Sequence, residues 1–265
     1  MLQRLAPSDE PLSSPAWENS PFKVSKLTAA YNNKPVVFDV SFTAPRNALA
    51  AIIGPNGAGK STFLKAALGL TPKLAGETRV FGKPLSKSRR EIAYVPQRAS
   101  VDWDFPANVF DVAMMGLQAE IGWLRWPKAE HKARVMAALQ LVGMQDFARR
   151  QIGQLSGGQR QRVFIARALV QNADVYLLDE PFAGVDAATE AAIMEVFRDL
   201  KQRGKTVICV HHDLATVRDY FDYVMLMNVT KVSEGPTAKA FTPEALAKAY
   251  DGRLPAQDSF AVAVQ

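Results

Sequence analysis

Three observations predict an α/β chain built on a parallel sheet with helices on both faces. Leu49–Ile53, residues 174–178 and Thr206–Val210 are short, continuous apolar runs, the pattern of strands buried on both sides. Stretches of helical character separate them, over 60–68 before Gly69 and over 187–203 before Gly204. A glycine-rich turn, Gly54-Pro55-Asn56-Gly57, ends the first run and opens the first helix. At 265 residues and 29.0 kDa, the chain has the length of one large domain or two modest ones.

The elements follow in order. Residues 1–21 carry spaced Pro and Ser with no apolar core of a signal peptide, and are expected to be a disordered leader. Two runs rich in Val, Phe and Thr within 22–44, split by the turn-like Tyr31-Asn32-Asn33-Lys34-Pro35, predict a hairpin. From about 98 to 150 strand alternation is absent and helix-compatible stretches such as 128–142 appear, which predicts an inserted helical subdomain. A last apolar strand around Val224 to Met227 leads through Ser233-Glu234-Gly235-Pro236 to a short helix opened by Thr242-Pro243-Glu244. The expected division is therefore a core over 22–97 and 166–240, helices over 98–165, and a C-terminal helix and tail over 241–265.

Composition narrows the function classes. Cys209 is the only cysteine, so an intrachain disulfide is excluded and a reducing compartment fits. The longest stretch without Asp, Glu, Lys or Arg is 47–59, interrupted by Gly and Pro, against the about 20 apolar residues a membrane-spanning helix needs. The formal charge of +6 is spread out, with no run of five or six like charges, so no nucleic-acid partner is expected.

Gly54-Pro55-Asn56-Gly57-Ala58-Gly59-Lys60-Ser61 has the form GxxxxGK[ST] and lies between an apolar strand and a helix, the context a phosphate-binding loop requires. Its glycines let backbone amides turn toward phosphate oxygens, and the helix N-terminus adds positive potential. Lys60 is placed to reach the outer phosphates, Ser61 to offer a hydroxyl to magnesium, and Thr62 completes the expected set. A magnesium nucleotide also needs a strand-end carboxylate, and Asp179 supplies it. Glu180 adds a second carboxylate to accept a proton from, or orient, an attacking water. Ser156-Gly157-Gly158-Gln159 is a helix capping box whose two glycines exceed what a cap requires, leaving amides open to an anion.

A phosphate loop, Leu155-Ser156-Gly157-Gly158-Gln159 and Leu177-Leu178-Asp179-Glu180-Pro181, in that order, resemble the ATP-binding cassette ATPases, the motor subunits of membrane transporters. The resemblance spans 22 to about 250. It implies a P-loop NTPase (RecA-like) core with an N-terminal antiparallel β subdomain and an inserted α-helical subdomain. It also implies ATP and Mg2+ as cofactors, Gln97 contacting magnesium and the attacking water, His212 on the γ-phosphate, Tyr31 stacked on adenine, and Asp186 in a loop crossing a dimer interface. His211 has no such role and is read as structural. Two copies would face head to tail, the Ser156, Gly157 and Gly158 amides of one closing on ATP held by Lys60 of the other. The further partners implied are a transmembrane permease and a separate extracytoplasmic metal-binding protein, with the chain peripheral on the cytoplasmic face of the membrane.

The segment Val95-Pro96-Gln97-Arg98-Ala99-Ser100-Val101-Asp102-Trp103-Asp104-Phe105-Pro106 is similar to that of manganese, zinc and iron importers, most of all the manganese branch. Trp103, Phe105, Pro106, Val109 and Met115 could line a groove for the permease or pack inside the helical subdomain, and Trp123 and Trp126 carry the same two readings. His131, His211 and His212 form no spacing that suits a transported metal, so selectivity is expected to lie in the permease and the binding protein.

Overall fold

The structure is a computed structural model that describes residues 20–31, 34–97, 106–122 and 124–252, with the side chain of Tyr31 outside that set. Its strands are β1 (Lys23–Tyr31), β2 (Lys34–Thr43), β3 (Leu49–Ile53), β4 (Ala75–Val80), β5 (Lys83–Pro84), β6 (Ile92–Val95), β7 (Val175–Asp179), β8 (Thr206–Val210), β9 (Tyr223–Asn228) and β10 (Thr230–Pro236). Its helices are α1 (Lys60–Ala67), α2 (Val109–Met114), α3 (Gln118–Ile121), α4 (Ala129–Leu141), α5 (Gly157–Leu169), α6 (Ala187–Gln202), α7 (Val217–Tyr220), α8 (Thr237–Ala240) and α9 (Pro243–Ala249).

Two sheets result. An antiparallel one has the order β2-β1-β4-β5, and the main one has the order β10-β9-β3-β8-β7-β6. In the main sheet β3 pairs in parallel with β8 and β9, β7 with β8, and β6 with β7. The strands expected to be parallel are so, and β10, for which no direction was expected, runs antiparallel to β9 along the edge. Its alternating Lys231, Val232, Ser233 and Glu234 lack the continuous apolar run by which the buried strands announce themselves, as an edge strand with one wet face should.

Both faces of β3 are buried, which explains its composition. Ala50 and Ile52 point to the layer formed by α1 and the antiparallel sheet, with Phe22, Phe42, Phe63 and Leu64. Leu49, Ala51 and Ile53 point to the opposite layer, with α5, α6 and the helical lobe. In the first layer the Phe42 and Phe63 rings meet edge to face, their centroids 6.3 Å apart, and each such buried ring contributes roughly 2–3 kcal/mol.

The lobe of α2, α3 and α4 packs against α5, with Val109, Val112, Val135 and Leu139 in its interior. Val109 is fully buried, so of the two readings open for it the internal one holds. Met115 is 44% exposed and Trp126 91%, while Trp103, Phe105 and Trp123 lie outside the described residues. α5 runs unbroken through position 165, where the helical part was expected to end, so the lobe and the core share one helix. His131 caps α4, its Nδ1 accepting the Lys128 amide at 3.0 Å. Among the described residues no helix is long and apolar enough to cross a membrane.

Candidate active site

Parallel strands end at a common edge, and ligands of open α/β sheets bind outside their carboxyl ends. Here that edge brings together the loop after β3, the Asp179-Glu180 end of β7, Gln97 after β6 and the His211-His212 pair after β8.

The loop after β3 is shaped by close packing. A Cβ on Gly54 would stand 2.0 Å from the Met227 carbonyl oxygen, and one on Gly59 would stand 2.3 Å from the Val36 oxygen. Gly59 also takes a left-handed φ of 89° as it caps α1. The Ala58 amide donates to the Pro55 oxygen at 3.1 Å, closing the turn. Lys60 is buried, and its ammonium donates to the Gly54 and Pro55 carbonyls at 2.7 and 2.9 Å. Burial pulls its pKa below the usual lysine value, while the charges of Glu180 and Asp179 oppose that shift.

Ser61, on the first turn of α1, donates to Asp179 Oδ1 at 2.7 Å. Asp179 is completely buried, and its Oδ2 has no hydrogen-bond partner among the described residues. Burial raises its pKa, with the Ser61 hydrogen bond and the Lys65 charge acting against that. A hydroxyl, an orphaned carboxylate oxygen and a neighbouring amide form an all-oxygen set beside a phosphate loop, which fits magnesium better than a softer ion.

Glu180 stands one residue beyond β7 with φ at 54°, a left-handed conformation that costs about 1 kcal/mol in a residue other than glycine. The Gln97 amide donates to Glu180 Oε2 at 3.1 Å, joining the ends of β6 and β7. His211 is buried among Phe182, Tyr220 and Phe221, with its Nε2 2.9 Å from the Thr216 hydroxyl. Desolvation drives its pKa down to about 4, so it is neutral at physiological pH and serves packing. His212 is exposed, its ring centroid 6.0 Å from that of His211.

The other expected residues sit on other elements. Ser156 caps α5 and exchanges hydrogen bonds with Gln159, so the capping box forms. A Cβ on Gly158 would stand 3.3 Å from a methyl of Val185, so the start of α5 lies against the loop leading to Asp186. Asp186 caps α6, accepting the Thr189 amide and hydroxyl at 2.9 Å each, and these bonds lower its pKa. No hydrogen bond among the described residues ties Ser156, Gly157, Gly158 or Asp186 to the Lys60 loop. Tyr31 ends β1, and its side chain lies outside the described residues.

Sequence reasoning missed a brace on the phosphate loop. Val229, at the β9–β10 turn with φ at 60°, donates its amide to the Ala58 oxygen at 3.0 Å and accepts from the Phe38 amide at 2.8 Å. These are backbone bonds between segments far apart in the chain, and no residue type signals them.

The ABC transporter family matches the chain over residues 37–183. Over 232 residues it is 57% identical to the zinc transport system ATP-binding protein TroB of Treponema pallidum (strain Nichols), covering 88% of this chain and 87% of that one. It is 55% identical over 234 residues to the manganese transport system ATP-binding protein MntB of Bacillus subtilis (strain 168), covering 88% and 94%. A solved ATP-binding subunit of an ABC transporter superposes with a TM-score of 0.73 at 26% identity, covering 92% of this chain and 98% of that one. The fold and the phosphate site together thus define a P-loop ATPase. More particularly, the chain belongs to the ABC transporter family, as one of its ATP-hydrolysing subunits.

Proposed function

We propose that the chain drives import of a divalent metal ion, manganese first, by binding and hydrolysing Mg·ATP at the carboxyl edge of its main sheet. The observation that carries the ATPase chemistry is the union of Lys60, Ser61, Asp179, Glu180 and Gln97 at that edge, linked by the Ser61–Asp179 and Gln97–Glu180 hydrogen bonds. Lys60 and the amides of Gly57, Ala58, Gly59 and Thr62 bind the phosphates of ATP. Ser61 and Asp179, with Gln97 beside them, would hold magnesium. Magnesium, when bound, neutralises charge on the outer phosphates and polarises the bond that breaks. Glu180 takes the proton of the attacking water onto its carboxylate, and Gln97 holds that carboxylate in place. His212 donates to the γ-phosphate, and Tyr31 stacks on adenine.

Ser156, Gly157, Gly158, Gln159 and Asp186 serve the site of a second copy. The capped start of α5 with its two small residues supports this, since amides at a helix N-terminus make a ready anion site. The permease meets the helical lobe, whose Leu124 and Trp126 are 97% and 91% exposed and supply apolar contact area. The chain then sits peripherally on the cytoplasmic face, and an extracytoplasmic protein delivers the metal. Selection of the cargo falls to the permease and the binding protein in this reading, since His131, His211 and His212 have no spacing that suits a transported metal.

Manganese rests on the segment around Gln97 and on relatives named for manganese transport, and zinc follows because one relative is named for zinc transport. Elemental analysis of cells carrying the wild-type chain or Glu180→Gln, grown with manganese, zinc and iron scarce, separates them. A selective fall in manganese is expected with the variant. A fall in zinc alone would move the assignment to zinc, and unchanged levels of all three metals would overturn the importer reading.

A further inference from the structure

Two buried oxygens on one face of the main sheet have no hydrogen-bond partner among the described residues: the Tyr94 hydroxyl and Asp179 Oδ2. The topology places them together. Tyr94 in β6 stands in register with Leu177 in the parallel neighbour β7, and Asp179 follows Leu177 by two residues. Side chains in register share a face, and so do those two apart along a strand, so Tyr94, Leu177 and Asp179 all project to the same side. That side carries α1: Leu177 and Tyr94 pack in the cluster that contains Phe63 and Leu64, and Ser61 of α1 is bonded to Asp179 Oδ1. With strands about 4.8 Å apart and a rise of about 3.3 Å per residue, the two Cα atoms are roughly 8 Å apart, within reach of a phenol.

A buried hydroxyl with no partner is destabilising, and phenylalanine would fill the same space without it. Packing alone therefore gives no reason for an oxygen at position 94. We propose that Tyr94 is a positioning residue for the metal-holding carboxylate, its O–H donating to Asp179 Oδ2 directly or through one water when Mg·nucleotide is bound. Asp179 is then held from both sides, by Ser61 at one oxygen and by Tyr94 at the other. Outer partners of this kind orient a ligand and sustain its basicity.

The inference rests on the reading of Ser61 and Asp179 as the magnesium site, and one experiment separates the two. ADP binding by the full chain is measured calorimetrically across a Mg2+ series and in EDTA, for wild type and Tyr94→Phe, together with the melting temperature of each without nucleotide. For the variant, the Mg2+ concentration giving half the gain in ADP affinity should rise about tenfold or more. Its affinity in EDTA should stay unchanged, and its melting temperature should equal or exceed that of wild type. A merely structural tyrosine would alter the melting temperature and leave the Mg2+ midpoint in place, and a midpoint within twofold of wild type overturns the proposal. If wild type itself gains no ADP affinity from Mg2+, the magnesium reading fails, and the role of Tyr94 fails with it.

Discussion

At the scale of single residues, burial sets two adjacent histidines apart. His211 and His212 are neighbours in the chain, yet His211 lies inside an aromatic cage at 1% exposure and His212 faces solvent. Its cage holds the His211 imidazole neutral down to about pH 4, whereas the unfolded chain takes up that proton near 6.5. The folded-state value is the lower one, so the contribution of His211 is fully present above about pH 6.5 and is lost as pH falls toward 4. The loss amounts to roughly 3 kcal/mol by linkage. Urea unfolding of wild type and His211→Gln at pH 7.5 and pH 4.5 checks this. The variant should start less stable and lose about 3 kcal/mol less across the interval; equal losses would show that His211 is not the group being protonated. The doublet His211-His212 was legible in the sequence, and the reading of His211 as structural agrees with its burial. The depth of that burial was not legible, because Phe182, Tyr220 and Phe221 come from other segments.

At the scale of elements, the phosphate loop is set as much by its neighbours as by its own pattern. Gly54 follows β3 at the point where β9 runs alongside, and a side chain there would strike the Met227 carbonyl. Gly57, three residues on, has φ at 83° but nothing within 4 Å of a Cβ. The two glycines therefore answer to different constraints. Gly57→Ala should cost about 1 kcal/mol, the strain of a left-handed alanine. Gly54→Ala should cost roughly 3 kcal/mol, since backbone must move, and should weaken ATP binding as the loop shifts from β9 and from Val229. Thermal unfolding and nucleotide titration of both variants test the order, and equal effects would refute the packing account of Gly54. The spacing GxxxxGK[ST] announced the loop, and the Ser156–Gln159 capping box announced the start of α5, because these are local rules. The Val229 brace and the edge strand β10 were not announced, since each depends on which segments the topology sets side by side.

For the whole molecule, the proposed pairing of the Ser156 helix start of one copy with the Lys60 loop of another has the largest consequence. In the proposed function both bind phosphate, and no hydrogen bond among the described residues joins them within one chain. Glu180→Gln with ATP should run on size exclusion at about twice the monomer mass, because binding persists while hydrolysis slows on the order of a hundredfold or more. Adding Ser156→Arg should return the protein to monomer with ATP still bound. A dimer that survives Ser156→Arg would show that the copies associate through another surface. The sequence alone determined the class of fold, the phosphate loop, the strand-end carboxylates and the family resemblance, because strand burial, helix caps and phosphate binding are each encoded in a few adjacent residues. Only the tertiary structure decided that β10 closes the sheet antiparallel, that Val109 is core, that His211 is caged, and that Tyr94 and Asp179 share a face. Those outcomes turn on contacts between segments distant in the chain, which composition and spacing do not encode.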